Sequence, residues 1–325
     1  MFNPTTLTQI DHEAPPEPPR LRALDLSEIA RYEFKERAPL LMPWLHSQDL
    51  AMLFAGRGVG KTHLALTIAY AVATGGQCFG RWSAPQPGKV LYLDGELPGS
   101  VLQRRLLMHL PQIEPAAGYL RSFTPDLLPD DVTLPDLSTR DGQRAIDEML
   151  EPDTALVIVD NLSSWCRSGR ENEAESWHPV ADWILRLRRR GVAVLMVHHA
   201  GKGGQQRGTS KREDLLDVVI SLNRPTDYDP KQGAVFNLEF SKARHLTGND
   251  ADGLELTLGG TEETAVWSCR TLALGNFERI VELANMGLMQ SEIASELGLH
   301  KSNVSRNLGK AREQGLIKLP PKEAL

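Results

Sequence analysis

The string Ala55-Gly56-Arg57-Gly58-Val59-Gly60-Lys61-Thr62 constrains this chain more than any other feature. It stands between an apolar run, Leu50 to Phe54, and a helix-like run, His63 to Val72. A strand, a glycine-rich loop and a helix in that order make a phosphate cradle. The loop and the helix N-terminus present backbone N–H groups to an anion. Lys61 is expected to reach the β- and γ-phosphates of ATP, and the Thr62 hydroxyl to hold Mg²⁺. Gly56, Arg57, Gly58, Val59, Gly60 and His63 complete the expected nucleotide-binding segment. The strict pattern begins with glycine where this chain has Ala55, a position that starts the turn rather than touching phosphate.

The 325 residues suffice for one large core plus a small domain. A net charge of −6 excludes polyanion binding by bulk charge, so any nucleic-acid contact must come from a local patch or from an oligomer's channel. Cys78, Cys166 and Cys269 lie far apart and in no metal-ligand spacing, which fits a reducing, cytoplasmic setting. No apolar run approaches the ~18 residues that would span a membrane, and the first residues carry acids and prolines instead of a secretory pattern.

Residues 1–22 are rich in proline and charge and read as a flexible tail. A short amphipathic helix is expected over Leu24 to Arg37, forming an arm for its own domain or for a neighbouring subunit. Beyond it, buried β-branched runs (Lys89–Leu93, Ala155–Val159, Val192–Val197) alternate with helical ones (Gly99–His109, Asp141–Leu150, Ala174–Arg190). That alternation predicts an α/β fold with a mostly parallel sheet covered on both faces. Four later runs, Asp217–Asn223, Ala234–Ser241, Leu254–Leu258 and Thr264–Cys269, read as antiparallel strands extending its edge. The ATPase domain is expected to span 23–272, with a separate helical domain over 273–325.

Asp160 ends one apolar run, as a Walker B carboxylate would, on a strand expected beside the phosphate-loop strand and holding Mg²⁺ with Thr62. Glu96 follows another such strand in LYLDGELP and could act as general base, as could Asp94. His198 and His199 end a third strand, and a polar residue there can sense the γ-phosphate.

The ordered set AGRGVGKT, KVLYLDGE, ALVIVDN, VLMVHHAGKG, RGTS and FSKAR resembles the RecA-like hexameric helicase ATPases, in particular the RepA-type replicative helicases of plasmids and mobile elements. The resemblance covers about residues 35–270, and it implies Glu96 as the catalytic base and one of the two histidines, with His198 favoured as nearest the strand end, as the γ-phosphate sensor. It implies a homo-oligomer, a hexamer by that likeness, that moves on single-stranded DNA. It implies that loop 201–211, with Lys202 and Lys211, faces DNA in the ring's centre. It also implies that Arg207, Lys242 and Arg244 are candidates for a finger inserted into a neighbour's ATP site. An arginine finger supplies the second cation that charge developing at the γ-phosphate requires.

The runs Phe277–Met286, Gln290–Leu297 and Lys301–Gln314 predict a trihelical unit resembling winged helix-turn-helix modules, with Ile317-Lys318-Leu319 as a short wing. From His300 to Lys318 there are five cations and one acid; from Phe277 to Leu299 there are one cation and four acids. That polarity suits a recognition helix whose Lys301, Ser302, Asn303, Arg306 and Lys310 contact DNA. A helical packing module has the same apolar pattern. Three functions stay open on the sequence: a DNA helicase or translocase, an ATP-gated DNA-binding regulator or loader, and a recombination or repair accessory ATPase.

Overall fold

The computed structural model describes residues 21–110, 113–167, 174–200, 213–225, 228–261 and 263–317. The chain divides into two units, Met1–Glu36 and Arg37–Leu325. In the first, helix α1 spans only Leu26–Ile29. Asp25 caps it, accepting from the Glu28 amide at 2.8 Å while the Glu28 carboxylate accepts from the Asp25 amide. The longer helix expected over 24–37 is therefore not made. Leu26, Ile29, Tyr32 and Phe34 are exposed, and a helix this short gains too few hydrogen bonds to offset nucleation without a buried face.

The second unit opens with a small hairpin, β1 (Pro39–Leu41) and β2 (Leu45–His46), before β3 (Leu50–Ala55). Helix α2 (Lys61–Thr74) follows the glycine-rich loop and is apolar nearly all round, so most of it is buried. A two-residue pair, β4 (Gln77–Cys78) and β5 (Trp82–Ser83), leads to β6 (Lys89–Asp94), α3 (Gly99–Leu107) and β7 (Leu120–Phe123). Next come α4 (Arg140–Asp147), β8 (Thr154–Asp160), the single turn α5 (Leu162–Trp165), α6 (Ala174–Arg189) and β9 (Ala193–His199). The second half holds β10 (Val218–Asn223), β11 (Ala234–Ala243), β12 (Leu254–Gly260) and β13 (Ala265–Thr271).

Nine of these strands form one sheet in the order β13-β12-β11-β10-β3-β9-β8-β6-β7. Two sequence expectations change here. β10, read as part of an antiparallel edge, pairs parallel with β3 and extends the central sheet; only β11, β12 and β13 run antiparallel. The Asp160 strand is not beside the phosphate-loop strand either, because β9 lies between them. Neighbours in a parallel sheet are set by crossovers through helices, which sequence proximity does not order.

Side chains alternate across the sheet. Ala51, Leu53 and Ala55 face a core containing α2, as do Leu156, Ile158, Ala193, Leu195 and Val197. Leu50, Met52, Val157, Val159, Val194 and Met196 face the other core, closed by Trp177, Val180, Trp183, Ile184 and Leu187 of α6.

Thr271 ends β13 and also caps α7 (Leu272–Asn285), its side chain accepting from the Leu274 amide at 3.3 Å. Glu255 of β12 is buried and pairs with Arg270 at 2.5 Å and with Arg279 of α7 at 2.7 Å. With α8 (Gln290–Glu296) and α9 (Lys301–Glu313), α7 builds a third core around Ile280, Ile293, Ala294, Val304 and Leu308. The expected wing residues Lys318 and Leu319 lie outside the described residues.

Candidate functional site

A cavity of about 300 Å³ opens at the carboxyl ends of β3, β9, β8 and β6. Gly58, Gly60, Lys61, Thr62 and His63 line it from the loop and α2; Glu96, Asp160 and His199 line it from the strand ends. Gly58 and Gly60 have φ of +72° and +129°, a region that suits glycine. A Cβ on Gly60 would come within 2.7 Å of the ring of Phe236, which is fully buried. Gly60→Ala is therefore expected to cost on the order of 1–3 kcal/mol of stability and to weaken nucleotide binding. Urea midpoints and a fluorescent-nucleotide titration check this; an unchanged pair of values would show that the loop tolerates the side chain.

The Lys61 Nζ donates to the carbonyls of Ala55 at 3.1 Å and Gly56 at 2.8 Å. Burial pulls its ammonium below the ordinary value, while Asp160 and Glu96 oppose that shift. Asp160 is buried; burial raises its carboxyl, against hydrogen bonds from Tyr92 and Thr62. The Tyr92 hydroxyl donates to Asp160 Oδ2 at 2.6 Å. Thr62 and Asp160 thus share a hydrogen bond, as a pair of hard oxygen ligands for Mg²⁺ would.

Glu96 is half exposed, at 49%. Its Oε1 lies 3.3 Å from His199 Nε2, and that nitrogen lies 3.2 Å from Asn161 Nδ2. Burial pulls the Glu96 carboxyl up, but hydrogen bonds from Asn161 and His199 outweigh it and leave it below the ordinary value. The group is ionised at neutral pH and can accept a proton. Asp94, the alternative base, is buried, accepts from the Leu97 amide at 3.0 Å and does not line the cavity.

Burial pushes the Asp94 carboxyl up to about 7, against the Leu97 amide and with Asp160 and Glu96 adding to the rise. Its ordinary value is 3.8, so between these two pH values the folded protein holds a proton that the unfolded chain has lost. Stability is expected to fall as pH rises through that window. Asp94→Asn should flatten the fall, read as urea midpoints at about pH 5 and about pH 8. An equal slope in the variant would assign the effect elsewhere.

The two histidines are placed on opposite faces of the sheet. His198, the favoured sensor, is buried and does not line the cavity; His199 does. The pleat explains it. His199 shares its face with Ala193, Leu195 and Val197, the α2 side, whereas His198 shares its face with Val194 and Met196.

The remaining expected residues scatter. Arg57 is exposed, Val59 packs into the core, and Gly56 contributes its carbonyl to Lys61. Arg207, Lys202 and Lys211 lie outside the described residues. Lys242 and Arg244 sit far from the cavity. Lys242 pairs across with Val219, and the Arg244 amide donates to the Asp217 carbonyl, level with the Leu50 end of β3. At a rise of ~3.3 Å per residue, that is about 16 Å along the sheet from Ala55. Lys242 Nζ donates to the Glu213 carbonyl and Arg244 Nη2 to the Asp214 carbonyl at 2.9 Å. The Arg244 guanidinium also stands 3.5 Å from Asp217, while remaining 53% exposed.

The structure adds cavity residues that no motif marked. Arg105 lines it from α3, and Gly233 and Ala234 close one side; Arg224, which does not line it, donates from Nη2 to the Gly58 carbonyl at 2.7 Å with its guanidinium 3.7 Å over the Tyr228 ring. Asn161, directly after Asp160, was the one legible signal, as a polar side chain continuing a strand-end acid.

Residues 15–205, more than half of the sequence, match the AAA domain family. The chain belongs to that family. It is a P-loop ATPase with an α/β core in which β9 separates the phosphate-loop strand from the strand that ends in Asp160. Among solved structures it is similar to the RadB recombinase (TM-score 0.47, 16% identity, covering 67% of this chain and 90% of that one). It is also similar to a KaiC-like protein from the hyperthermophilic archaeon Pyrococcus horikoshii OT3 (TM-score 0.49, 14% identity, covering 70% and 93%). No curated protein matches the sequence. Among the described residues, no helix is long and apolar enough to cross a membrane.

On α9, Lys301, Ser302, Arg306 and Lys310 are exposed while Val304, Leu308 and Ala311 face the trihelical core. Asn303 is half-buried and accepts from Asn307 Nδ2 through its carbonyl and its side-chain oxygen. His300 caps the helix through the Ser302 amide.

Proposed function

We propose that this AAA-family ATPase is a ring-forming, ATP-driven DNA helicase or translocase serving a plasmid or mobile element. The observation that carries the reading is the position of Arg244. It lies at the end of the sheet opposite the cavity, where it can reach no phosphate of its own chain but is exposed to a neighbour. A neighbour that inserts Arg244 would add a cation to Lys61 and Arg105, which already line the cavity, and repeated head-to-tail completion gives a ring or a helix.

In this reading the loop amides and Lys61 bind the phosphates of ATP, and His199 contacts the γ-phosphate. Glu96, ionised and oriented by Asn161 and His199, takes the proton of the attacking water. Thr62 and Asp160 hold Mg²⁺, which supplies charge neutralisation at the phosphates. Lys242 and Arg244 of one subunit stabilise charge in the next. The exposed Lys301, Arg306 and Lys310 contact DNA phosphates through the 273–325 module, and loop 201–211 with Lys202, Arg207 and Lys211 faces single-stranded DNA.

The deciding experiment is particle shape by electron microscopy combined with ATPase rate, with and without single-stranded DNA. Rings, stimulation by DNA and a steep loss with added salt are expected. A monomer unresponsive to DNA would end the reading; filaments would favour a recombination accessory. The trihelical unit, with its own core and cationic helix, supports a second reading as an ATP-gated DNA-binding regulator. A footprint on a defined sequence that survives loss of ATPase activity would favour that instead.

A further inference from the structure

Three side chains outside the ATP site come together at the far end of the sheet: His46 at the end of β2, Asp49 just before β3, and His245 just after β11. One ligating atom from each lies within 4.8 Å of the others. His46 Nδ1 is 3.5 Å and His245 Nε2 is 4.0 Å from Asp49 Oδ2, and the two imidazoles meet edge to face at 4.9 Å. Asp49 is fully buried, whereas each imidazole is 22% exposed, which leaves a path for an ion and for a solvent ligand.

We propose that His46, Asp49 and His245 form a binding site for a borderline divalent metal of the Zn²⁺ type. Two imidazoles and one carboxylate select such an ion over Mg²⁺ or Ca²⁺, which take oxygen ligands. Ligands at Zn²⁺ distances in a tetrahedron stand about 3.4 Å apart, so His46 and Asp49 are already placed, while His245 closes by roughly half an ångström on Asp49 and by up to about 1.4 Å on His46. Oδ1 of Asp49 takes the Arg37 guanidinium, and Oδ2 takes the His46 amide at 2.6 Å, leaving lone-pair capacity toward the imidazoles. His245 Nε2 stands 2.7 Å from the Trp44 carbonyl, the partner an ion would displace, and its Nδ1 is buried without a hydrogen-bond partner.

The site clamps the start of the phosphate-loop strand to the residue that follows Arg244. Metal occupancy would thus hold the segment carrying the proposed finger. That consequence rests on the proposed role of Arg244; metal binding itself does not.

Full-length protein is stripped with chelator, kept in excess Mg²⁺ to saturate Thr62 and Asp160, and titrated with Zn²⁺ by calorimetry. One ion per chain is expected, with affinity reduced at least about tenfold in His46→Gln and in His245→Gln. Zn²⁺ should raise the parent's Tm by about 5 °C and leave the two variants unmoved. Lys61→Ala should bind Zn²⁺ as the parent does. Co²⁺ supplies a readout that needs no variant: intense visible bands of a tetrahedral site are expected, and a weak hexa-aqua-like spectrum overturns the site. Absence of stoichiometric binding, or parent-like binding in both His variants, also overturns it and leaves an Arg37–Asp49–His network without metal.

Discussion

Glu96→Gln is expected to lower ATP turnover by about 10²–10⁴-fold while nucleotide binding is kept. The amide has nearly the shape of the carboxylate and can still meet Asn161 and His199, but it accepts no proton. The parent carboxylate is ionised because the hydrogen bonds from those two residues outweigh its desolvation. Neither group touches the loop that cradles phosphate, so the dissociation constant of a fluorescent nucleotide should be close to the parent's. Steady-state phosphate release is the measurement. Turnover near the parent's would return the base role to Asp94, whose burial otherwise argues against it.

Arg244→Ala is expected to have the larger effect, about 10³–10⁵-fold on turnover, again with binding retained. Its local loss is small. Arg244 gives up an exposed pairing with Asp217 and one hydrogen bond to the Asp214 carbonyl, and exposed pairs contribute little. The decisive measurement is mixing. Arg244→Ala supplies an intact Glu96, and Glu96→Gln supplies an intact Arg244. In an equal random assembly roughly a quarter of the interfaces hold both groups. Activity that returns on mixing two inactive variants locates the finger in a neighbour. No recovery, with each variant shown to assemble, would remove the assignment.

Much of the cavity could be read directly because its parts are local. A glycine-rich loop flanked by a buried strand and helix, and acids that end apolar runs, depend on a few adjacent residues. The choice between His198 and His199 depends on the pleat. β9 is buried on both faces, so Ala193 to Val197 shows no polar alternation to fix the phase, and the residue that reaches the cavity could not be picked by pattern. The strand between Asp160 and the phosphate loop was hidden for another reason: crossover length does not say which neighbour a strand takes. Arg105 and Gly233 reach the cavity from α3 and from the β10–β11 connection, and Arg224 reaches the glycine-rich loop. Nothing in their own neighbourhoods distinguishes them from surface residues. The arm helix failed where periodicity stands in for burial: Leu26 and Ile29 have the spacing of a helical face that is not buried here.

Thr271 closes the last strand and opens α7 with no residue between them, and Glu255 bolts both sides of that junction through Arg270 and Arg279. A pendulum needs a string, and here there is none. The cationic helix is carried like the head of a wrench: the unit that holds it joins the sheet's outer strands without a linker. Lengthening that junction by a few glycines would turn a rigid arm into a tether, which, for the translocase proposed above, would separate force on DNA from mere retention near it.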